Sequence, residues 1–189
     1  MTDTRTNSEN GPLYLPGDPQ PQEELARMIR VDHAGEYGAV RIYTGQLAVL
    51  GNGPKGEVIR EMAEQEVRHR ERFEEILPRR RVRPSALSPF WHVAGFGLGY
   101  GSALLGERAA MACTVAVEEV IDEHYASQAD RLGPEETDLI DTIEEFRLEE
   151  LEHRDTALDH DAEGAPAYPL LTRAIKSASR FSIWLAERF

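Results

Sequence analysis

A carboxylate and an imidazole three residues apart occur twice in this chain, each time downstream of a lone glutamate at nearly the same distance. Glu36 stands 30 residues before Glu66, with His69 three further on; Glu118 stands 32 before Glu150, with His153 three further on. Residues three apart lie on nearly one face of an α-helix, so each Glu-x-x-His can point inward from a single turn. Each half can therefore be a helical hairpin offering one lone carboxylate and one carboxylate–imidazole pair. Two such hairpins packed together bring four Glu and two His into one interior, the ligand set of a dinuclear carboxylate metal centre in a helix bundle.

One Glu-x-x-His constrains little. With 24 Glu and 6 His in 189 residues, roughly one match arises by chance, and it is ordinarily a solvated Glu beside a surface His. Two matches, each behind its own glutamate at matched distance, are much harder to obtain by accident.

Helical spacing of apolar residues supports this frame. From about Pro21 to Leu50 the stripe runs through Leu25, Ile29, Gly35–Glu36, Ala39–Val40, Tyr43 and Leu47. Gly51-Asn52-Gly53-Pro54 stops that helix and starts a second, with Pro54 suited to its first turn. The second ends before Pro78, and its stripe is Val58 or Ile59, Met62, Glu66, His69, Phe73 and Ile76. Glu107 to Leu132 reads as a helix with Val115, Glu118, Ile121 or Asp122, and Tyr125 on one face; Pro134 to about His160 carries Leu139, Ile143, Phe146, Glu150, His153 and Ala157. No strand-like alternation stands out, so the class is all-α. Residues 1–20, polar and rich in Pro and Gly, are expected to form a disordered arm before a single domain over 21–189.

Between the halves lies a different composition. Residues 84–106 contain no Asp, Glu, Lys or Arg, and carry five glycines with Phe90, Trp91, Phe96, Tyr100, Leu104 and Leu105. The stretch has the length of a membrane span, yet its prolines, His92 and glycines make it weakly hydrophobic. An apolar helix at a bilayer interface is the preferred reading, helped by the preceding Arg79, Arg80, Arg81 and Arg83; a buried helix whose glycines allow close packing, within the chain or at a dimer seam, is the alternative. The amphipathic segment 167–189 either covers the bundle or helps hold it on a membrane.

A net charge of −13 argues against nucleic acid as a partner, because phosphate binding needs a basic face. The single cysteine, Cys113, excludes an intrachain disulfide and sits in an apolar run, as a small core residue would. The polar start lacks an apolar secretory core, so a reducing cytoplasm is the expected compartment.

Four carboxylates gathered in a bundle core repel one another and lose hydration, at several kcal/mol each. Two divalent cations would balance them. Oxygen and imidazole donors without thiolates favour iron or manganese over structural zinc. A metal-free network would need Lys or Arg on the same stripes, and none of the four has one.

The stretch Val31-Asp32-His33-Ala34-Gly35-Glu36-Tyr37-Gly38-Ala39 resembles the demethoxyubiquinone hydroxylase family of ferritin-like di-iron monooxygenases. So do Gln65-Glu66-x-x-His69, Gly106 to Glu119, Glu149-Glu150-Leu151-Glu152-His153, Leu158-Asp159-His160-Asp161 and Ala165-Pro166-Ala167-Tyr168. The likeness runs from about residue 24 to 189. It implies a ferritin-like four-helix bundle with added apolar and amphipathic helices facing a membrane. It implies two Fe ions held by Glu36, Glu66, His69, Glu118, Glu150 and His153, with Glu118 chosen over Glu119 by the family pattern. It points to His124 and Tyr125 as active-site residues, whereas the residues alone allow a helix-surface His and a packed Tyr. Asp32 and Asp122 are candidate partners for the metal-bound imidazoles.

The implied reaction is hydroxylation of a polyprenyl methoxy-methyl-benzoquinol ring by O2, with electrons from outside, NADH among the donors, since no Gly-x-Gly-x-x-Gly fingerprint is present. Ferritin-type iron oxidation is the alternative on the same fold. Without an organellar targeting extension, the chain is expected to be a bacterial enzyme, peripheral on the cytoplasmic face of the inner membrane. A homo-oligomer and an accessory lipid-presenting protein are left open.

Overall fold

The computed structural model describes residues 20–189; of the arm expected over residues 1–20, all but Gln20 lie outside the described residues. Six α-helices follow in order: α1 Pro21–Leu50, α2 Gly56–Arg79, α3 Ser88–Leu104, α4 Glu107–Ala129, α5 Thr137–Asp159 and α6 Tyr168–Ala186. Short 3-10 turns at Pro134–Glu136 and Ala162–Gly164 complete the path, and there is no strand among the described residues. The class is all-α, as the periodicity requires.

Each half has one plan. α1 pairs with α2 and α4 with α5, forming the two hairpins; α3 then lies along α1, and α6 along α4. The four hairpin helices form the bundle, and the third helix of each half covers it from outside.

Local chemistry sets the ends. Pro21 occupies the first turn of α1, where a missing N–H costs nothing, and the Gln20 N–H reaches Glu23 at 3.4 Å. Two expected boundaries move. Pro54 falls in the turn before α2, which starts at Gly56. Helix α2 continues through Pro78 to Arg79. There Arg81 takes a left-handed φ of 57°, so that Val82 N–H caps the Leu77 carbonyl at 2.9 Å.

The interior is layered. One apolar cluster contains Tyr43, Ile59, Met62, Met111, Val115 and Ala157. A second contains Ile29, Phe73, Ile76, Tyr125, Ile143 and Phe146. Between them, every hairpin helix contributes a carboxylate: Glu36, Glu66, Glu118 and Glu150, all buried. The expected stripes of α2 and α5 match the buried residues. Helix α4 departs from expectation, because it is buried all round from Ala109 to Glu118, with α5, α6, α3 and α1 packed about it. Its run of small residues suits that crowding.

Glycines on α3 serve close packing within the chain. A Cβ on Gly99 would stand 2.6 Å from the Ile42 carbonyl carbon, and one on Gly95 would stand 2.8 Å from the Gly38 carbonyl oxygen. Gly97 and Gly101 face open space. The opposite face of α3 exposes Phe90, Val93, Tyr100 and Leu104, and α6 exposes Leu170, Phe181 and Trp184. No helix among the described residues is long and apolar enough to cross a membrane.

Candidate metal centre

Helix phase carries six side chains into the polar layer. Glu36, Glu66, His69 and Glu150 form one group, and Glu66, Glu118, Glu150 and His153 a second; within each group the donor atoms lie within 4.8 Å of one another. Glu66 and Glu150 belong to both, the arrangement of two bridging and two terminal carboxylates. None of the six residues is more than 3% exposed, so bulk water cannot neutralise them. Glu119, the neighbour that helix phase alone hardly separates from Glu118, instead pairs with Lys176.

Charge without cations is awkward here. Burial first, and then the neighbouring Glu150, push Glu66 and Glu118 well above the usual carboxylate range; burial also raises Glu36. Burial opposes ionisation of Glu150 too, but hydrogen bonds from His153 and His69 outweigh it and hold that group at about 2. For His69, burial disfavours the cation, yet Glu150 and Glu36 drive it up to about 12. His153 shifts upward against burial for the same reason, through Glu150. Protons thus do the neutralising that divalent cations do better.

Three of the cradle's buried carboxylate oxygens are orphaned. Neither oxygen of Glu66 has a hydrogen-bond partner, although Oε1 is 3.0 Å from His153 Nδ1, off the bonding direction. Glu118 Oε2 has none either. Unpartnered carboxylate oxygens at full burial cost several kcal/mol, and they converge with two imidazole nitrogens. The donor set, four carboxylates and two imidazoles with no thiolate, fits two divalent ions of iron or manganese type.

The outer contacts of the cradle are partly unforeseen. Tyr125, singled out from the sequence, donates its hydroxyl to Glu36 Oε1. Tyr43 donates to Glu118 Oε1 at 2.9 Å. His124 stands one step away: it is half-buried, 2.9 Å from Gln128 Nε2 and 3.4 Å from Asp32 Oδ1. Asp32, which also accepts from Gln128 at 2.6 Å, and Asp122, which holds Arg147 at 2.7 Å, do not touch the two imidazoles. That place is taken by Glu149, 2.6 Å from His69 Nε2, and by Gln65 on His153 Nε2. Each is the residue immediately before a bridging glutamate, on the rim of the inward stripe. That adjacency is the signal by which the sequence could have revealed them.

An apolar pocket of about 330 Å³ opens between α1, α3, α4 and α6. Phe90, Trp91 and Leu98 wall it on one side and Phe181 and Ile183 on another. Its floor includes Gly35, Ala39, Val117 and Ile121, which flank Glu36 and Glu118 along their helices. The mouth is rimmed by the exposed aromatic side chains Phe90 and Phe181.

Comparison with known proteins gives a concordant picture. The family described as "Ubiquinone biosynthesis protein COQ7" matches residues 23–186. A Rhodospirillum rubrum protein named 3-demethoxyubiquinol 3-hydroxylase is 55% identical over 175 residues, covering 92% of this chain and 82% of its own. The mouse mitochondrial NADPH-dependent 3-demethoxyubiquinone 3-hydroxylase is 56% identical over 167 residues, 86% of this chain and 77% of its own. The mitochondrial 5-demethoxyubiquinone hydroxylase of Saccharomyces cerevisiae is 44% identical over 181 residues, 87% and 78% respectively. With nearly the whole described chain matched, and the six-residue cradle in place, this chain belongs to the COQ7 family of ubiquinone biosynthesis proteins.

Proposed function

We propose that this protein hydroxylates the ring of a polyprenyl methoxy-methyl-benzoquinol, a demethoxyubiquinol, with O2 as co-substrate. One observation carries the reading: an apolar pocket is lined by Gly35 and Val117, the residues next to Glu36 and Glu118 on the two helices that carry half of a buried four-Glu, two-His cradle. The hydroxylase names of the relatives support it over the ferroxidase alternative. The cradle residues Glu36, Glu66, His69, Glu118, Glu150 and His153 would hold two Fe ions, which would supply the electron exchange with O2 needed to place one oxygen atom on the ring and release the other as water.

The chain's own residues do the rest. Tyr125 and Tyr43 fix the terminal carboxylates Glu36 and Glu118 by hydrogen bonds. At Gly35 a Cβ would meet Ile121 in ordinary contact at 3.9 Å, and both residues line the pocket between α1 and α4. Val117, Ile121 and Ile183 keep water from the reacting carbon. Tyr125 and His124 are the proposed active-site pair, Tyr125 through Glu36 and His124 through the Asp32–Gln128 network. Electrons come from a nicotinamide nucleotide: NADH is the donor expected from the sequence, while the mouse relative is named NADPH-dependent.

The tail explains the outer helices. Each CH2 drawn from a bilayer into water costs about 0.8 kcal/mol, so an enzyme for a polyprenyl quinol works at the membrane surface. The apolar faces of α3 and α6, around the pocket mouth, are the surface that enters the lipid, with the exposed Arg81 and Arg83 on anionic headgroups, whereas Arg79 and Arg80 pair with Glu75 and Glu136. The site of action is then the cytoplasmic face of a bacterial inner membrane. Incubation of the iron-loaded protein with a demethoxyubiquinol, NADH or NADPH as electron donor, and 18O2 tests the reaction: mass spectrometry is expected to find one labelled oxygen on the ring. Two irons per chain with no label incorporated would sink the proposal.

A further inference from the structure

The contacts around the cradle are matched between the two halves, pair by pair, except at one pair. Both terminal carboxylates accept a tyrosine hydroxyl, Glu36 from Tyr125 and Glu118 from Tyr43. Both imidazoles turn Nδ1 inward, His69 to Glu150 at 3.1 Å and His153 to Glu66 at 3.0 Å. Each Nε2 then points away from the centre and meets the residue preceding the bridging glutamate of the opposite hairpin. For His153 that residue is Gln65, a neutral amide; for His69 it is Glu149, a carboxylate at 2.6 Å. Position is symmetric and charge is not.

We infer that Glu149 and Gln65 make the two metal positions inequivalent, so that the position beside His69 binds a divalent cation more tightly than the one beside His153. The inference rests on the metal-centre reading above. A carboxylate that accepts the Nε2–H draws that proton toward itself and enriches Nδ1, the nitrogen facing the centre, as a donor. It also adds a negative charge close to one cation and not the other. Gln65 fixes the ring of His153 but adds no charge.

Two neighbours bear on the size of the effect. Arg68 lies 4.0 Å from Glu149, but its side chain is 58% exposed, so water screens most of its compensation. Phe146 stacks on His69 with ring centroids 4.0 Å apart and keeps water from that face of the imidazole. The groups remaining near Glu149 in the shallow surface depression over His69 are Arg72, Thr142 and Glu145, none of which hydrogen-bonds it. Glu149 is a positioning residue, acting on the metal through His69.

The test titrates Mn2+ into the metal-free full-length protein and follows free Mn2+ by electron paramagnetic resonance. The wild type is expected to bind two ions in two separated events. Glu149→Gln is expected to weaken the first event by about 10–100-fold, the usual cost of losing an outer partner of a metal-bound imidazole, so that the two events merge. Gln65→Glu is expected to tighten the second event and merge them from the other side. In Glu36→Gln, which strips a ligand from the His69 position alone, the event that survives should be the weaker one. Two equal sites in the wild type, or an unchanged first event in Glu149→Gln, overturn the inference. Should Glu149→Gln fail to fold, an unchanged second event in Gln65→Glu overturns it equally. A wild type that takes up no Mn2+ would instead defeat the metal-centre reading itself.

Discussion

Alanine placed at Gly99 and at Gly97 should move stability in opposite directions, although the two sites are half a turn apart on one helix. At Gly99 the new methyl carbon would stand 2.6 Å from the Ile42 carbonyl carbon and 2.9 Å from Ile42 Cα. Ordinary carbon contacts are about 3.5–4.0 Å, so α3 and α1 must part by about 1 Å. The obstacle is backbone, with no rotamer to yield. Overpacking of this kind costs about 1–3 kcal/mol, and the upper end applies here; the better helix propensity of Ala returns about 1 kcal/mol. The net loss is about 2 kcal/mol. At Gly97 a Cβ meets nothing within 4 Å, so only the propensity gain of about 1 kcal/mol remains. For a domain of this size 1 kcal/mol shifts Tm by about 2–4 °C, which separates the variants by about 6–12 °C. Thermal unfolding followed by circular dichroism, both proteins in one metal state, measures the gap. Equal melting temperatures, or a more stable Gly99→Ala, would refute the direct backbone contact of α1 and α3.

Other expectations follow from the site. Gly38→Leu, whose Cβ faces open space at the apolar pocket, should leave metal content and Tm intact while quinol turnover drops at least tenfold; undiminished turnover would place the substrate elsewhere. Glu150→Ala should lose both metals because Glu150 serves both groups, whereas Glu36→Ala should retain one; elemental analysis distinguishes them. The metal-free protein should lose stability as pH rises from about 5 to 8. Burial raises Glu66, Glu118 and Glu36, and carboxylate partners raise His69, so the folded chain holds protons that the unfolded chain releases in this window. Glu150, held low, matters only below its unfolded range. Metal displaces those protons, so the loaded protein should not show the decline; a rising Tm in the metal-free form would contradict the sign. Trp184, half exposed on α6, should blue-shift with anionic liposomes, while Trp91, buried at 6% exposure, should hardly respond.

The central layer was legible because its residues repeat within each helix. Glu66 and His69, or Glu150 and His153, declare their common face through spacing alone, and the apolar residues around them keep the same phase. What escaped the sequence depends on contacts between helices. Glu149 and Gln65 are unremarkable polar residues until the opposite hairpin sets an imidazole beside each. Asp32 and Asp122 occupied the right helices but face Gln128 and Arg147 instead. Helix α4 read as one-sided, since nothing local says that α6 will cover its other flank. The glycines of α3 suggested either lipid or close packing, and the two roles separate by face: Gly95 and Gly99 toward α1, Phe90 and Leu104 outward. Trp91 belongs to the stretch expected at a bilayer interface, yet it is enclosed with Val31, Ala34 and Ala186.

Because Glu66 on α2 and Glu150 on α5 belong to both ligand groups, cation uptake would tie the two hairpins together across the layer of buried carboxylates. Supply of the cation that fills the cradle should therefore bear on how long the polypeptide survives as well as on its turnover. Starved of the ion, the bundle is loosest in the middle and opens more often to proteases, since a ligand that binds the folded state alone lowers the unfolded population. Limited proteolysis of loaded and stripped protein should show the stripped chain cut faster, and a cell short of iron would clear it first.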